Sequence, residues 1–429
     1  MIVALPLIAL VVALLLGVPI AIALGACGMF GIWLVTGDFE KVLGIAGLAP
    51  YSTVADYALT TIPMFILMAY FSASSGLAKD LYTAAANMLS NVRGGLAIAT
   101  VFACGIFGAM SGASVAAASV MSKIAMPEMR RHGYSDELAA GSIGVGSTLD
   151  ILIPPSIAMV IYGIATGTSI GKLLIAGIIP GILVGVLLAV MIYAWVVISP
   201  SHAPATFRVP MAEKWASVMR VWPSMLLIAV VIAMLYSGVA TPSEVGALGA
   251  LMACLIGALF GRLDWFGAMG AIRATIRTSA MIFLILIGAT IFGTYMTLSR
   301  IPHEVVAYVT ELGLNRWVVI IGIIVIYFVV SMFMDEIPLL LLTLQLTFPL
   351  ITSLGFDPIW FGVISMMMVA MGLVFPPVGM VAFVVSATGG VDLMKVYKGT
   401  SILMMSILVT TILIMIFPEI ALWLPRTMK

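Results

Sequence analysis

The chain has 429 residues, of which 63% are apolar and only 9% carry a charged side chain. Soluble domains are about 45–50% apolar and about 25% charged, so a soluble fold of this size could not cover its core. Apolar stretches of the roughly 20 residues that a spanning helix needs recur from Ile2 to Leu424. The sequence therefore predicts an all-α polytopic protein of the lipid bilayer, and it excludes nucleic-acid binding, cytosolic enzymes and disulfide scaffolds.

The first half of the chain, residues 1–199, is predicted to begin with two spanning helices. A surface helix over Leu43–Asp56, a third span over Leu59–Ser74 and a second semi-polar stretch over Ala78–Gly94 follow in order. Leu43–Asp56 is expected at the interface because it is the partner, 222 residues earlier, of Trp265–Thr278, whose Arg273 and Arg277 make that segment too charged to span.

A 32-residue apolar stretch, Gly95–Met126, comes next and is too long for a single crossing. It is interrupted by small and polar residues at Ser111–Ser114, which predicts a re-entrant hairpin over about 94–130; one long, kinked helix is the alternative. A span over about 136–166, broken at Pro154-Pro155, and a last span complete this half.

The second half, residues 222–429, repeats this plan after a polar connecting loop over 200–221. The spacing Pro-Pro, nine residues, Ala-Thr-Gly occurs twice at an offset of 222 residues, which indicates an ancient duplication. We expect a surface helix over Trp265–Thr278 and a separate span over Met281–Leu298.

The second predicted hairpin covers about 316–353 and is interrupted by Asp335 and Glu336. A span over about 358–388, broken at Pro376-Pro377, follows it. Five crossings separate the bases of the two hairpins, and because five is odd, the repeats are predicted to be inverted, as in many secondary transporters.

The distribution of Lys and Arg gives this topology an orientation. If the first hairpin opens to the cytoplasm, thirteen basic residues lie inside and six lie outside. The positive-inside rule then predicts that both termini and the base of the second hairpin face outward.

The paired breaks are candidate ion sites. Because proline has no N–H, Pro154-Pro155 is predicted to free the carbonyls of Asp150-Ile151, and Pro376-Pro377 those of Gly372-Leu373. Unwound carbonyls in paired broken helices hold sodium in many transporters. The alternative is a kink whose carbonyls are satisfied by hydroxyls or water.

The two hairpin tips carry the remaining polar groups. The tip at Ser111–Ser119 supplies hydroxyls and room for close backbone approach, although small residues also serve helix packing. Asp335 and Glu336 are costly inside a membrane, so a cation or a shared proton is expected there; a shallower, interfacial acidic pair is the alternative.

These motifs together resemble the large membrane subunit of tripartite ATP-independent periplasmic (TRAP) transporters, over essentially the whole chain. The stretches that carry the resemblance are SGASVAAAS (Ser111–Ser119), MPEMRRHGY (Met126–Tyr134), STLDILIPPSIAMVIYGIATGTSIGKLLIAG (Ser147–Gly177), TPSEVGALGA (Thr241–Ala250) and FPPVG (Phe375–Gly379). The resemblance implies an elevator-type ion-transporter fold and a sodium-driven importer of organic anions. It also implies two partners, a soluble periplasmic substrate-binding protein and a small four-helix membrane subunit, and a location in the bacterial inner membrane.

The resemblance also implies site residues. The first sodium site is expected to comprise Ser111, Gly112, Ser114, Asp150, Ile153 and Pro155. The second is expected to comprise Asp335, Glu336, Ala370, Gly372, Leu373 and Phe375. Substrate contacts are predicted at Ser156, Thr166 and Thr388.

The chain departs from the family pattern at two of these positions. Members often have Gly where this chain has Asp150, and Thr where it has Phe375. Asp150 adds a carboxylate to the first site or faces a polar cavity, whereas a threonine hydroxyl is lost from the second.

The sequence thus predicts the permease subunit of a sodium-coupled, binding-protein-dependent importer of a small organic anion, a carboxylate. No covalent chemistry, no cofactor and no metal other than the coupling sodium is expected. The rival interpretations are a stand-alone sodium or proton symporter of the dicarboxylate type and, far less favoured, a membrane-embedded hydrolase, for which no His or Lys base lies near Ser111.

Overall fold

A computed structural model describes residues 5–203 and 209–428, and all the regular secondary structure in those ranges is helical. The helices of the first half are α1 Leu5–Leu15, α2 Ile20–Thr36, α3 Phe39–Val54, α4 Thr61–Ser74, α5 Leu77–Met88, α6 Gly95–Ser111, α7 Ser114–Arg131, α8 Asp136–Ser147, α9 Ile157–Thr166, α10 Ile170–Ala176 and α11 Ile178–Ile198. Those of the second half are α12 Met211–Ser237, α13 Pro242–Leu259, α14 Trp265–Leu298, α15 Ile301–Glu311, α16 Arg316–Ser331, α17 Glu336–Ser353, α18 Pro358–Gly372, α19 Met380–Gly389, α20 Leu393–Leu403, α21 Met405–Ile416 and α22 Glu419–Arg426.

The outer surface of the helical bundle is strongly apolar. Leu15, Ile198 and Leu259 are 82%, 81% and 82% exposed, which suits side chains that face lipid rather than water. Within the described ranges, seven helical segments are long and apolar enough to cross a bilayer, and seven shorter apolar helices of 10–17 residues accompany them. The predicted class, an all-α polytopic membrane protein, is confirmed.

Two helix pairs occupy the segments that the sequence assigns to hairpins. In the first pair α6 ends at Ser111 and is capped by Gly112, whose φ of 59° is a left-handed conformation that glycine adopts without a Cβ penalty. The chain then turns directly into α7. In the second pair α16 and α17 are joined through Asp335, which caps α17 by accepting a hydrogen bond from the Glu336 N–H (3.0 Å).

Two spans are broken at their Pro-Pro pairs, and both Pro-Pro peptide bonds are cis. In the first half α8 passes into a 3₁₀ turn over Thr148–Ile151, and α9 starts again where the Ser156 hydroxyl caps it. In the second half the break separates α18 from α19. Each break places a non-helical segment beside a hairpin tip.

The two repeats exchange contacts reciprocally. Helix α7 of the first hairpin packs on α19 of the second broken span, and α17 of the second hairpin packs on α9 of the first. Arg130 donates to the carbonyls of Gly389 (3.1 Å) and Gly390 (2.9 Å), and Tyr162 donates to the Pro358 carbonyl (2.7 Å). Inverted repeats are expected to interlock in this way, and the exchange ties the hairpins and broken spans into one unit, here called the hairpin unit.

A second group of helices packs beside the hairpin unit. Helix α14 lies along α2, and α13 lies along α4. The α2–α14 contact depends on Gly28, because a Cβ there would lie 2.8 Å from the Phe292 backbone. We call α2, α3, α4, α13 and α14 the flanking unit.

One predicted boundary in the second half is wrong. The surface helix over Trp265–Thr278 and the span over Met281–Leu298 form one continuous 34-residue helix, α14, because no Gly or Pro interrupts the residues between them. In the first half the corresponding surface helix and span, α3 and α4, are separate helices, because Asp56 caps a new 3₁₀ turn between them.

Within the predicted connecting loop, 200–221, helix α12 begins at Met211. Residues 204–208 of that loop lie outside the described residues. They include Arg208, and Lys429 also lies outside the described residues; both residues enter the count of basic residues.

Candidate functional site

The two hairpin tips meet at a buried group of three polar side chains, here called the tip cluster: Ser114, Asp150 and Glu336. The Ser114 hydroxyl lies 2.6 Å from Asp150 Oδ1 and 3.3 Å from Glu336 Oε2. Ser114 is 2% exposed, Asp150 1% and Glu336 4%. One hydroxyl therefore joins the first hairpin, the first broken span and the second hairpin.

Local sequence explains why Asp150 can reach this position. Gly108 of α6 lies against the 3₁₀ turn, and a Cβ on Gly108 would come within 2.6 Å of the Asp150 Cβ. Ser114 is the first residue of α7, so its hydroxyl projects from the very tip of the hairpin. Glu336 holds the same position in α17.

The tip cluster is short of positive charge. Asp150 Oδ2 is buried and has no hydrogen-bond partner. None of the ion pairs found in residues 5–203 and 209–428 includes Asp150, Asp335 or Glu336. Because an unpaired buried carboxylate is costly, this arrangement favours the binding of a cation or a proton.

The first break adds backbone oxygens beside the cluster. In the described part of the chain, no N–H or O–H donates to the carbonyl of Asp150 or Ile151. Gly112 faces the break closely, since a Cβ there would lie 3.4 Å from the Pro155 carbonyl oxygen. Ser111 is directed elsewhere, as its hydroxyl donates to the Gly108 carbonyl (3.3 Å). The Ile153 side chain lies against Gly181 of α11.

The second break differs, and the prediction that its carbonyls are free is wrong. The Gly372 carbonyl accepts from the Phe375 N–H (3.2 Å), and the Leu373 carbonyl accepts from the Val381 N–H (2.9 Å). The loop thus folds back to supply the donors that the prolines lack.

The other predicted members of the second site lie on α18, on the break and at the tip of the second hairpin. Ala370 is buried in α18, and the Phe375 ring packs on Phe328, with 5.4 Å between the ring centroids. Asp335 caps α17, and Glu336 belongs to the tip cluster. The acidic pair forms the tip itself, and Gly372 of the break lies against Ser331 at the end of α16, four residues before Asp335.

The three predicted substrate residues do not come together. Ser156 is buried at the first break, where its hydroxyl accepts from the Met159 N–H (3.4 Å). Thr166 ends α9, where it donates to the Tyr162 carbonyl (2.8 Å). Thr388 lies near the end of α19, beside the glycines that Arg130 contacts. Thr166 and Thr388 thus belong to the broken spans of different repeats, with α9 packed on the second hairpin and α19 on the first.

Sequence reasoning missed a cavity of about 520 Å³ between the flanking unit and the hairpin unit. It lies between α14 and the end of α3 on one side and α9 and α17 on the other. We call it the threonine cavity because Thr290, Thr294 and Thr297 line it along one face of α14. Their spacing of four and three residues places them on one helix face, and this was the signal available in the sequence.

A second cavity of about 590 Å³ adjoins the first and shares Thr297 and Gln345 with it. His303 and Thr352 are among its other lining residues. No set of three His, Cys, Asp or Glu side chains with metal-holding geometry occurs in the described ranges. Any coupling ion would therefore have to use hydroxyl, carbonyl and carboxylate oxygens.

This architecture, with reciprocal hairpins, paired broken spans and a polar cluster where the tips meet, is that of a polytopic membrane transporter. Comparison with known proteins identifies its family. Residues 7–420 match the family described as tripartite ATP-independent periplasmic transporter, DctM component. The chain belongs to this family of large TRAP permeases, and the family resemblance found in the sequence is confirmed.

Individual relatives agree with this assignment. The chain is 35% identical to the C4-dicarboxylate TRAP transporter large permease protein DctM of Pseudomonas aeruginosa, over 94% of each chain. It is 30% identical to the ectoine TRAP transporter large permease protein TeaC of Halomonas elongata, over 96% of each chain. It is therefore a multi-pass inner-membrane transporter subunit and not an enzyme.

A solved structure shares the fold at low sequence identity. The Neisseria gonorrhoeae MtrF transporter matches with a TM-score of 0.65 and 14% identity, over 88% of this chain and 85% of that one. This likeness supports the transporter fold and says nothing about the transported compound.

Proposed function

We propose that the chain is the permease subunit of a sodium-coupled importer that takes a small organic anion, a carboxylate, from a soluble periplasmic binding protein. Its second partner would be a small four-helix membrane subunit. The family is one of tripartite periplasmic transporters, and the relatives named above are permeases for C4-dicarboxylates and for ectoine. Their substrates support an organic acid as the transported class.

The tip cluster is the observation that supports cation coupling. Two carboxylates and a hydroxyl converge there, and one carboxylate oxygen, Asp150 Oδ2, has no hydrogen-bond partner among the described residues. The backbone carbonyls of Asp150 and Ile151, which accept no hydrogen bond from the described part of the chain, lie beside this cluster. Sodium prefers oxygen ligands of this kind at breaks in transporter helices. For the first site we propose ligands among Ser111, Gly112, Ser114, Asp150, Ile153 and Pro155. For the second we propose Asp335 and Glu336 at the tip of the second hairpin.

An elevator movement is supported by the division of the bundle into two units. The hairpins and broken spans interlock with each other, and the threonine cavity separates part of this unit from α3 and α14. A unit that holds the ion site can slide against its neighbour only where the interface is not fully packed. We propose that the hairpin unit moves and the flanking unit stays fixed.

Uptake by proteoliposomes tests the coupling ion. Replacing external sodium by choline or potassium is expected to abolish uptake, and Asp335→Ala is expected to weaken the dependence on sodium more than it lowers the amount of folded protein. Glu304→Gln, at an exposed position of α15 outside the tip cluster, is the control and should keep the sodium dependence. Full uptake without sodium, abolished only by collapse of a proton gradient, would contradict sodium coupling.

The same vesicles separate this proposal from a stand-alone symporter. If the binding protein delivers the substrate, omitting it should remove uptake at low substrate concentration. Uptake that is unchanged without the binding protein and without the small subunit would favour the stand-alone type.

A further inference from the structure

The wall of the threonine cavity presents hydrogen-bond acceptors almost exclusively. Thr290, Thr294 and Thr297 each donate their hydroxyl hydrogen to the carbonyl four residues earlier in α14, at 2.9 Å in every case. On the α3 side, Thr53 donates to the Thr290 hydroxyl (3.1 Å) and Ser52 to the Ala49 carbonyl (3.3 Å). Each hydroxyl hydrogen is thereby occupied, and the oxygen lone pairs remain for a ligand.

The charge on the lining of this cavity is negative. Asp56 contributes a carboxylate, of which Oδ1 accepts from the Ala58 N–H (2.9 Å) when it caps the 3₁₀ turn. Neither Lys nor Arg is among the described residues that line the cavity. A solute with two carboxylates would therefore meet a carboxylate and a row of lone pairs, with no cation to offset its charge.

One donor faces this acceptor wall from the hairpin unit. Gln345 of α17 lines the cavity, and its side chain makes no hydrogen bond in the described part of the chain. Its amide lies against Gly293, where a Cβ would approach the Gln345 Oε1 to 3.0 Å and Nε2 to 3.2 Å. The amide thus has hydrogens available for an anionic group on the α17 side of the cavity.

We propose that the threonine cavity binds a zwitterionic acid, with its N–H donors toward Asp56 and the threonine oxygens and its carboxylate toward Gln345. This inference rests on the proposed function and narrows it: the transported acid keeps the carboxylate of the proposed substrate class but also carries an ammonium group, so its net charge is zero and not negative. The cavity is close to the proposed ion site: Leu341, which also lines it, follows Glu336 by five residues, or roughly 7.5 Å of helix. A solute seated there lies between the unit proposed to move and the unit proposed to stay fixed.

Thermal unfolding of the purified full-length chain tests the proposal without transport. The probes are 4-aminobutanoate and succinate, two four-carbon acids that differ in carrying an ammonium or a second carboxylate. A ligand that binds the folded state raises the unfolding temperature with its concentration. We expect 4-aminobutanoate to stabilise the chain and to bind about tenfold more tightly than succinate, the scale of one charge-assisted hydrogen bond.

Two variants locate the effect. Asp56→Asn keeps a residue that caps well but replaces the negative charge, and it should remove the preference for 4-aminobutanoate. The matched control is Asp38→Asn, at the exposed cap of α3, where Asp38 Oδ1 accepts from the Glu40 N–H (3.0 Å) outside the cavity.

Thr294→Val removes a hydrogen-bond acceptor of the cavity at constant side-chain shape and should weaken binding. Its control, Thr310→Val on the exposed surface of α15, should not change binding.

Equal or greater stabilisation by succinate, no stabilisation by either acid, or an unchanged preference in Asp56→Asn would overturn the proposal. These readings are independent of sodium-driven uptake. If uptake by vesicles does not depend on sodium, the preference for 4-aminobutanoate still stands. If that preference is absent, sodium-coupled uptake still stands.

Discussion

Ser114 and Glu336 lie 222 residues apart, the same distance that separates the two Pro-Pro pairs, and the Ser114 hydroxyl lies 3.3 Å from Glu336 Oε2. They are therefore equivalent positions of the two repeats, each the first residue of the second helix of its hairpin. The duplicated tips meet each other directly. One copy supplies a hydroxyl and the other a carboxylate, so the contact is a hydrogen bond instead of a repulsion between two acids.

Removing the Ser114 hydroxyl tests how much its hydrogen bonds with Asp150 and Glu336 contribute to stability. Ser114→Ala takes away the side-chain donor of a buried Asp150 carboxylate, so we expect a loss of about 1–3 kcal/mol in the free energy of unfolding. Ser122→Ala is the control, because Ser122 is buried on the same helix and its hydroxyl has no hydrogen-bond partner. Unfolding temperatures in detergent should fall for the first variant and stay within a degree or so for the second. Equal effects would show that the bridging hydroxyl adds nothing.

A substitution at Gly372 tests how closely the second break packs on α16. A Cβ at this position would lie 1.8 Å from the Ser331 Oγ and 2.8 Å from the Ser331 backbone carbon, so Gly372→Ala must separate α16 from α18. We expect it to lower the unfolding temperature and the yield of folded protein. Gly322→Ala, on the exposed face of α16 with nothing within 4 Å of the added methyl group, should instead stabilise by about 0.5–1 kcal/mol. A harmless Gly372→Ala would mean that the two helices are less closely packed than the structure has them.

The orientation of the hairpins is a separate prediction that labelling can test. In a background without the native cysteines, single cysteines near Arg93 and Arg131 should react with an impermeant maleimide only from the cytoplasm. Cysteines near Arg316 and Phe356 should react only from outside. If the two members of either pair react from opposite faces, that segment is a spanning helix and the repeats are not inverted.

A charged contact at the base of the first hairpin predicts a dependence of stability on pH. Arg130 Nε donates to Asp136 Oδ1 (2.8 Å), and this hydrogen bond is the main cause that lowers the pKa of Asp136; Lys395, 3.6 Å from Oδ2, lowers it further. Because the pKa is depressed in the folded state, the stabilisation is present above the pKa of an unfolded aspartate. It is lost as the pH falls through the lower, folded value.

Arg130→Gln should therefore lower the unfolding temperature at neutral pH, and the difference from the parent should shrink in acid. Arg131→Gln is the matched control, since Arg131 is exposed and makes no ion pair in the ranges that the structure describes. A loss that is the same at every pH would assign the role of Arg130 to its hydrogen bonds with the Gly389 and Gly390 carbonyls instead.

Helix boundaries show where sequence reasoning is reliable. The Pro-Pro pairs and Gly112 mark real interruptions, because a missing N–H or a left-handed backbone acts within a few residues. The division between Thr278 and Met281 was not real. Polarity changes there, but polarity decides the depth of a helix in the membrane and not whether the helix stops.

Composition and spacing along the chain predict the class of protein, the internal duplication, the broken spans and the family. Contacts between distant segments are not predictable in this way. The meeting of Ser114 with Glu336, the donors from Phe375 and Val381 to the second pair of carbonyls, and the cavity between the threonines of α14 and Gln345 are seen in the folded chain. A hydrogen bond or a cavity depends on which distant segments approach within a few ångströms, and packing of the whole bundle sets that approach.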